Sequence, residues 1–168
     1  MQMRSDTEEM TINDLRDQAG TPHVLFEALH KEYRFTVDIC AVRHNAKLPT
    51  YVTPEQDALS GIGSWVGERV WCNPPFRDIP PWLDMAWRPE LVAYLLPVRS
   101  DRLWWQAWKG YSECHYFVGE KPHRRPQFVP PPGVKYSSNP MSLCLFLFGV
   151  GVKPGLECYR SGLTGERI

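Results

Sequence analysis

The sequence has no excess of either charge: 19 Lys plus Arg stand against 19 Asp plus Glu, so no global positive field marks a polyanionic partner. It has no Cys-x-x-Cys pair and no His at zinc-ligand spacing from its five cysteines, Cys40, Cys72, Cys114, Cys144 and Cys158. That excludes a zinc-stapled scaffold, and cysteines odd in number and scattered along the chain are expected to be reduced core residues of a cytosolic protein. No hydrophobic run reaches membrane length, since the longest, 143–152, is about half of a span. The N-terminus is acidic and lacks the basic, apolar pattern of a secretory leader. Neither a membrane nor a metal is expected as a partner, and no internal repeat is present.

What is there suits one compact unit. The 168 residues are 43% hydrophobic and 23% charged, and a domain of this size buries roughly two-thirds of its surface. The 16 prolines exclude an all-helical bundle, and the 7 tryptophans supply large flat surfaces for packing or for flat ligands. Charge is unevenly placed. Residues 1–20 carry Asp6, Glu8, Glu9, Asp14 and Asp17 against Arg4 and Arg16, whereas 121–154 carries Lys121, Arg124, Arg125, Lys135 and Lys153 with no acid. One end is thereby able to face phosphates while the whole stays neutral.

The pattern along the chain predicts a tail over 1–20, an ordered domain over 21–150 and a second tail over 151–168. Thr21 as N-cap and Pro22 at the first helical position open a helix whose apolar face is Val24, Leu25, Ala28 and Leu29, running to Lys31. Residues 33–41 form a strand by the alternation of Phe35, Val37 and Ile39, with Asp38 near its carboxyl end. Turn residues fill 44–67, with one short turn at Thr53-Pro54-Glu55. Arg69–Cys72 is a short buried strand that Pro74 and Pro75 force to turn. A helix over 79–87, a continuous apolar strand over 91–98, a helix over 101–109 capped by Ser100, and strands over 114–118 and 141–150 complete the pattern. Between the last two strands lies a basic, proline-rich loop, 119–140, long enough to be functional.

Strands alternating with helices imply a mostly parallel sheet, and such sheets bind ligands beyond their strands' carboxyl ends. Asp38 and Asn73 both fall there. An acid at one strand end and Asn73-Pro74-Pro75-Phe76 at another resembles the phage-type DNA N6-adenine methyltransferases, Dam-like enzymes. The likeness runs from Thr21 to about Gly149, through Thr21-Pro22, Phe35-Thr36-Val37-Asp38, 51–57, Val70-Trp71-Cys72-Asn73-Pro74-Pro75-Phe76 and Leu95-Leu96-Pro97. It implies an α/β, reduced Rossmann-like fold that uses S-adenosylmethionine, with helices on both faces of a mostly parallel sheet. It also implies transfer of a methyl group to the N6 amine of adenine in DNA.

The chemistry explains the catalytic quartet Asn73, Pro74, Pro75 and Phe76. The lone pair of an adenine amine is delocalised into the ring. Two acceptors, the Asn73 side-chain oxygen and the Pro74 carbonyl, localise it by taking one amine hydrogen each, and the prolines fix the carbonyl's direction. Phe76 is placed to stack on a base flipped from the duplex, a contact worth about 1–3 kcal/mol. The resemblance assigns the cofactor to Thr21 and Pro22, to Asp38 with Cys40 and Ala41 in the turn that follows, to Asp57 at the cofactor's adenine, and to Glu55 at its ribose. Asp38-Ile39-Cys40-Ala41 departs from the family pattern by having no glycine. Arg99 follows a strand end, where Arg99, Ser100 and Asp101 line either a base pocket or an ordinary surface helix. Lys121, His123, Arg124 and Arg125 are expected to meet DNA phosphates. Two alternatives remain at this point: methylation of a glutamine side-chain amide in protein, which needs the same two acceptors, and a non-catalytic scaffold, favoured by the missing glycines.

Overall fold

The structure, a computed structural model, describes residues 17–60, 65–119, 125–135 and 141–168. The first long element is helix α1, His23–Tyr33, with Pro22 at its N-cap in an extended conformation. It continues two residues past the expected end, because Leu25, Phe26, Leu29 and Tyr33 all bury on one side, and it stops where Arg34 enters the left-handed region at φ 53°. That extension shortens the strand expected over 33–41 to β1, Val37–Asp38. Backbone bonds from Thr36 N–H to Arg69 O and from Ile39 N–H to Trp71 O continue the pairing on either side of it.

Strand β2, Arg69–Cys72, has the bounds expected of it. It is followed by a four-residue helix α2, Pro80–Leu83. Beyond Leu83 the chain tightens into turns, with Met85 and Ala86 N–H bonded three residues back, so the helix expected to reach Trp87 ends early. Strand β3, Leu91–Pro97, is buried throughout. Helix α3, Leu103–Trp108, starts later than expected and has Arg102, not Ser100, at its N-cap. The Asp101 carboxylate pairs with Arg99 instead of entering the first turn. Strands β4, Glu113–Val118, and β5, Leu143–Gly149, lie within one or two residues of expectation.

The expected C-terminal tail is corrected by a sixth strand, β6, Glu157–Ser161, parallel to β4. Its one deeply buried long side chain is Arg160, a residue type that composition assigns to solvent. The expected N-terminal tail is corrected at its end: Gly20 and Val129 exchange backbone hydrogen bonds of 2.8 and 2.7 Å.

The sheet order is β1-β2-β3-β5-β4-β6. It is a mixed sheet, departing from the expected mostly parallel one at β5. Strands β1, β2 and β3 are mutually parallel, and β5 is antiparallel to both β3 and β4. β5 therefore opposes all the others. Side-chain alternation produces two cores. Val70, Cys72, Val92, Tyr94, Leu96, Phe146 and Phe148 pack under Leu83 of α2 and Trp105 of α3, while Trp71, Ala93, Leu95, Leu145 and Leu147 pack under Leu25, Phe26 and Leu29 of α1. Trp71 meets Phe26 edge-on at 5.4 Å between ring centroids, and each such buried side chain contributes roughly 1.5–3 kcal/mol by leaving water.

Candidate active site at the carboxyl edge of the sheet

Because β1, β2 and β3 run in one direction, Asp38, Asn73 and Arg99 emerge at the same edge. Asp38 pairs in register with Trp71, so Asn73 leaves the neighbouring strand two positions further on. Its side chain is half-buried, and its amide nitrogen donates to the Ala19 carbonyl at 3.3 Å. Neither Asn73 Oδ1 nor the Pro74 carbonyl accepts a hydrogen bond among the described residues. Two acceptors on consecutive residues are thus left without a protein donor among the described residues. Pro74 is buried and Pro75 half-buried, so the turn is fixed by packing as well as by ring geometry.

Phe76 is half-buried and meets Phe128 at 5.9 Å with the rings inclined by 61°. Phe128 belongs to the proline-rich loop, and its neighbour Val129 forms the two-bond bridge to Gly20. The long loop therefore returns to this edge. Arg77 forms an ion pair with Asp17 at 2.5 Å.

Asp38 is 2% exposed. Its Oδ1 accepts from Cys40 N–H at 3.3 Å and its Oδ2 from Lys47 N–H at 3.0 Å. Burial pushes its carboxyl up to about 6, against the opposing pull of those two bonds and of the Lys47 charge. Asn45 ties the loop after β1 to the N-terminal segment: its Oδ1 accepts from Val42 N–H at 2.8 Å and its Nδ2 donates to Gln18 O at 2.9 Å. Thr21 is 1% exposed, and its hydroxyl has no hydrogen-bond partner. An orphan of this kind costs about 1–3 kcal/mol unless a ligand pairs it.

The other expected cofactor residues are less closely gathered. The Cys40 and Ala41 N–H groups are engaged by Asp38 and by Val52 O, so the glycine-free turn turns its donors inward. Glu55 and Asp57 sit on an exposed 3-10 turn, Pro54–Gln56, joined to β1 by the Asp38–Tyr51 bridge. Glu55 is held low in pKa by the Thr53 hydroxyl, and Asp57 closes its own loop by accepting from Leu59 N–H at 3.1 Å. Arg99 is fixed by two 3.1 Å bonds to Asp101 just beyond β3. Arg125 is exposed at the start of the described part of the loop, whereas Lys121, His123 and Arg124 lie outside the described residues. Sequence reasoning missed Ala19, Gly20, Asn45, Lys47 and Phe128. The available signals were a polar Asn45-Ala46-Lys47 following the strand-end acid, and a single aromatic amid prolines.

The family model described as DNA N-6-adenine-methyltransferase (Dam) matches residues 8–149. The chain belongs to this family. The Dam match spans every strand up to β5, and Asn73-Pro74-Pro75-Phe76 lies inside it. A DNA N-6-adenine-methyltransferase of Haemophilus phage HP1 (strain HP1c1) is 32% identical over 105 residues, which are 58% of this chain and 60% of that protein. The match thus spans about three-fifths of that Dam relative's length. No solved structure matches the chain. No helix among the described residues is long and apolar enough to cross a membrane.

Proposed function

We propose that the protein is an enzyme that methylates the N6 amine of adenine in DNA, with S-adenosylmethionine as the methyl donor. The observation that carries this reading is the pair of acceptors without a protein donor, Asn73 Oδ1 and the Pro74 carbonyl, in a chain of the Dam family. The residues present fit the cofactor, because the Thr21 hydroxyl is buried without a partner at the edge where Asp38 and Asn73 emerge. The bound cofactor supplies an electrophilic methyl group. Thr21, Pro22, Asp38, Cys40, Ala41, Glu55 and Asp57 are the set proposed to hold it.

The chain's own work is on the base. Asn73 Oδ1 and Pro74 O each accept one amine hydrogen, which draws the nitrogen lone pair out of the ring and holds it toward the donor. Phe76 covers the face of the flipped base, and half-buried rings around the amine exclude water. Arg99, Lys121, His123, Arg124 and Arg125 are proposed to meet DNA phosphates. The mixed sheet is proposed to be a reduced Rossmann-like methyltransferase sheet in which β5 is the reversed strand. The place of action is the cytoplasm, that of a bacterial host for a phage-encoded chain.

Incubation with unmethylated DNA and labelled S-adenosylmethionine, followed by nucleoside digestion, is expected to give labelled N6-methyl-2′-deoxyadenosine. Asn73→Ala is expected to lower the rate at least 100-fold. Label in glutamine of an added protein and none in DNA would overturn the acceptor, and full activity of Asn73→Ala would overturn the mechanism.

A further inference from the structure

Lys47 is half-buried at the edge where Asp38 and Asn73 emerge, and its ammonium makes no hydrogen bond or ion pair among the described residues. Its backbone N–H donates to Asp38 Oδ2, so the side chain leaves the loop beside that carboxylate. Burial pushes the ammonium down in pKa and the charge of Asp38 draws it back up. A methyl group placed on Gly20 would come within 3.7 Å of Lys47 Nζ and 3.4 Å of Asn45 Cβ. The ammonium therefore sits against the segment that carries Thr21, whose buried hydroxyl is the unpartnered group already described.

One carboxylate, one ammonium and one orphan hydroxyl are a neutral set of the kind that complements a zwitterion. Each Asp38 oxygen accepts one backbone N–H and keeps a lone pair for a further donor. We propose that Lys47 is a further cofactor-binding residue, its ammonium holding the α-carboxylate of the methionine part of S-adenosylmethionine, with Thr21 and Asp38, already in the set proposed above, at that carboxylate and at the α-ammonium. This inference rests on the methyltransferase reading above and adds to it a binding residue. A lysine serving Asp38 only as a counter-ion would leave the Thr21 hydroxyl without a purpose, whereas a carboxylate bound between them satisfies both donors.

The test is titration calorimetry on the full chain with two probes, S-adenosylmethionine and its decarboxylated analogue. The wild type is expected to bind the decarboxylated probe at least tenfold more weakly. Lys47→Met, which keeps the apolar stem, is expected to lose about tenfold for S-adenosylmethionine and nothing for the analogue, and Lys47→Arg to recover part of the loss. Equal loss for both probes would show a structural role and overturn the assignment. The wild type alone also decides: equal affinity for the two probes overturns the role of Lys47, whatever the variants do. Failure to bind either probe would instead remove the methyltransferase reading and this inference with it.

Discussion

Asp38 carries two opposite pH dependences, because the same burial acts on folding and on binding. Its carboxyl has a pKa of about 6 in the folded chain, against an ordinary value of 3.8. The folded state therefore holds this proton more tightly than the unfolded state, and the group's contribution to stability falls as pH rises from about 4 to 6. Binding of an α-ammonium needs the ionised form, so affinity for S-adenosylmethionine is expected to drop as pH falls through about 6, approaching tenfold per pH unit below it. Calorimetry between about pH 5 and 8 checks this, and Asp38→Asn should flatten the profile. At Asn73 the separation of fold from function is sharper. Its amide makes one 3.3 Å bond from a half-buried position, so Asn73→Ala should cost under about 1 kcal/mol of stability, read by urea unfolding, alongside its loss of activity. These residues were legible in the sequence because their chemistry is local: an acid at the end of an apolar run, and an asparagine forced to turn by prolines. Lys47 was not, since only the folded chain reveals that its ammonium lies against Gly20.

Elements were legible in proportion to how local their determinants are. β2 and β3 are apolar runs closed by turn residues, and their bounds follow from the run itself. α3 misled because Ser100 and Asp101 resemble a cap, yet Arg99 captures the Asp101 carboxylate. β6 was invisible: its Glu157-Cys158-Tyr159-Arg160-Ser161 has no apolar alternation, and its buried arginine is satisfied by Glu32 on α1, 128 positions away in sequence. At the junction of β3 and β5, Gly149 takes φ +111°, and a Cβ there would lie 2.2 Å from the Glu90 carbonyl oxygen. Gly149 ends β5 opposite Leu91, where Val150 N–H also bonds to Glu90 O at 2.8 Å. Both the backbone angle and the contact forbid a side chain. Gly149→Ala is expected to cost about 2–4 kcal/mol and to shift the urea midpoint without moving Asp38 or Asn73 at the opposite edge, so cofactor affinity measured well below the transition should be unchanged.

At the scale of the molecule, the C-terminal strand is joined to the first helix by a charged network on the side away from the candidate active site. Arg160 is 1% exposed, and it donates to His115 Nδ1 at 2.7 Å, Glu32 at 2.6 Å, Tyr33 Oη at 2.8 Å and Gly165 O at 2.9 Å. His115 in turn lies 2.7 Å from Glu113 through Nε2, and Arg167 pairs with Glu32 at 2.8 Å. Glu113, His115 and Cys158 are close enough together to suggest a cation site, but Arg160 donates into the histidine and Arg167 reaches both Glu113 and Cys158, so the place is already filled by positive charge. Burial favours a raised Glu32 carboxyl, yet the Arg160 and Arg167 bonds outweigh it and hold the group below its ordinary value. Burial and the two arginines likewise hold the His115 imidazole below its ordinary value. Both shifts mean that the unfolded chain binds more protons, so this network's stabilisation is present near neutral pH and is lost on acidification, beginning with His115 below about pH 6.5 and continuing with Glu32 below about 4.5. Arg160→Met removes the guanidinium while keeping volume, and leaves Glu32, His115 and Tyr33 facing each other without their common donor. It is expected to cost about 3–5 kcal/mol. Lysine cannot replace it, because an ammonium at one point cannot meet four acceptors spread around a planar fork. Ending the chain after Val150, at the boundary the composition suggests, removes β6 together with Arg160 and Arg167 and bares the edge of β4. Such a chain should lose its cooperative urea transition, whereas one retaining that transition at the full chain's midpoint would show that the sixth strand is dispensable to the fold.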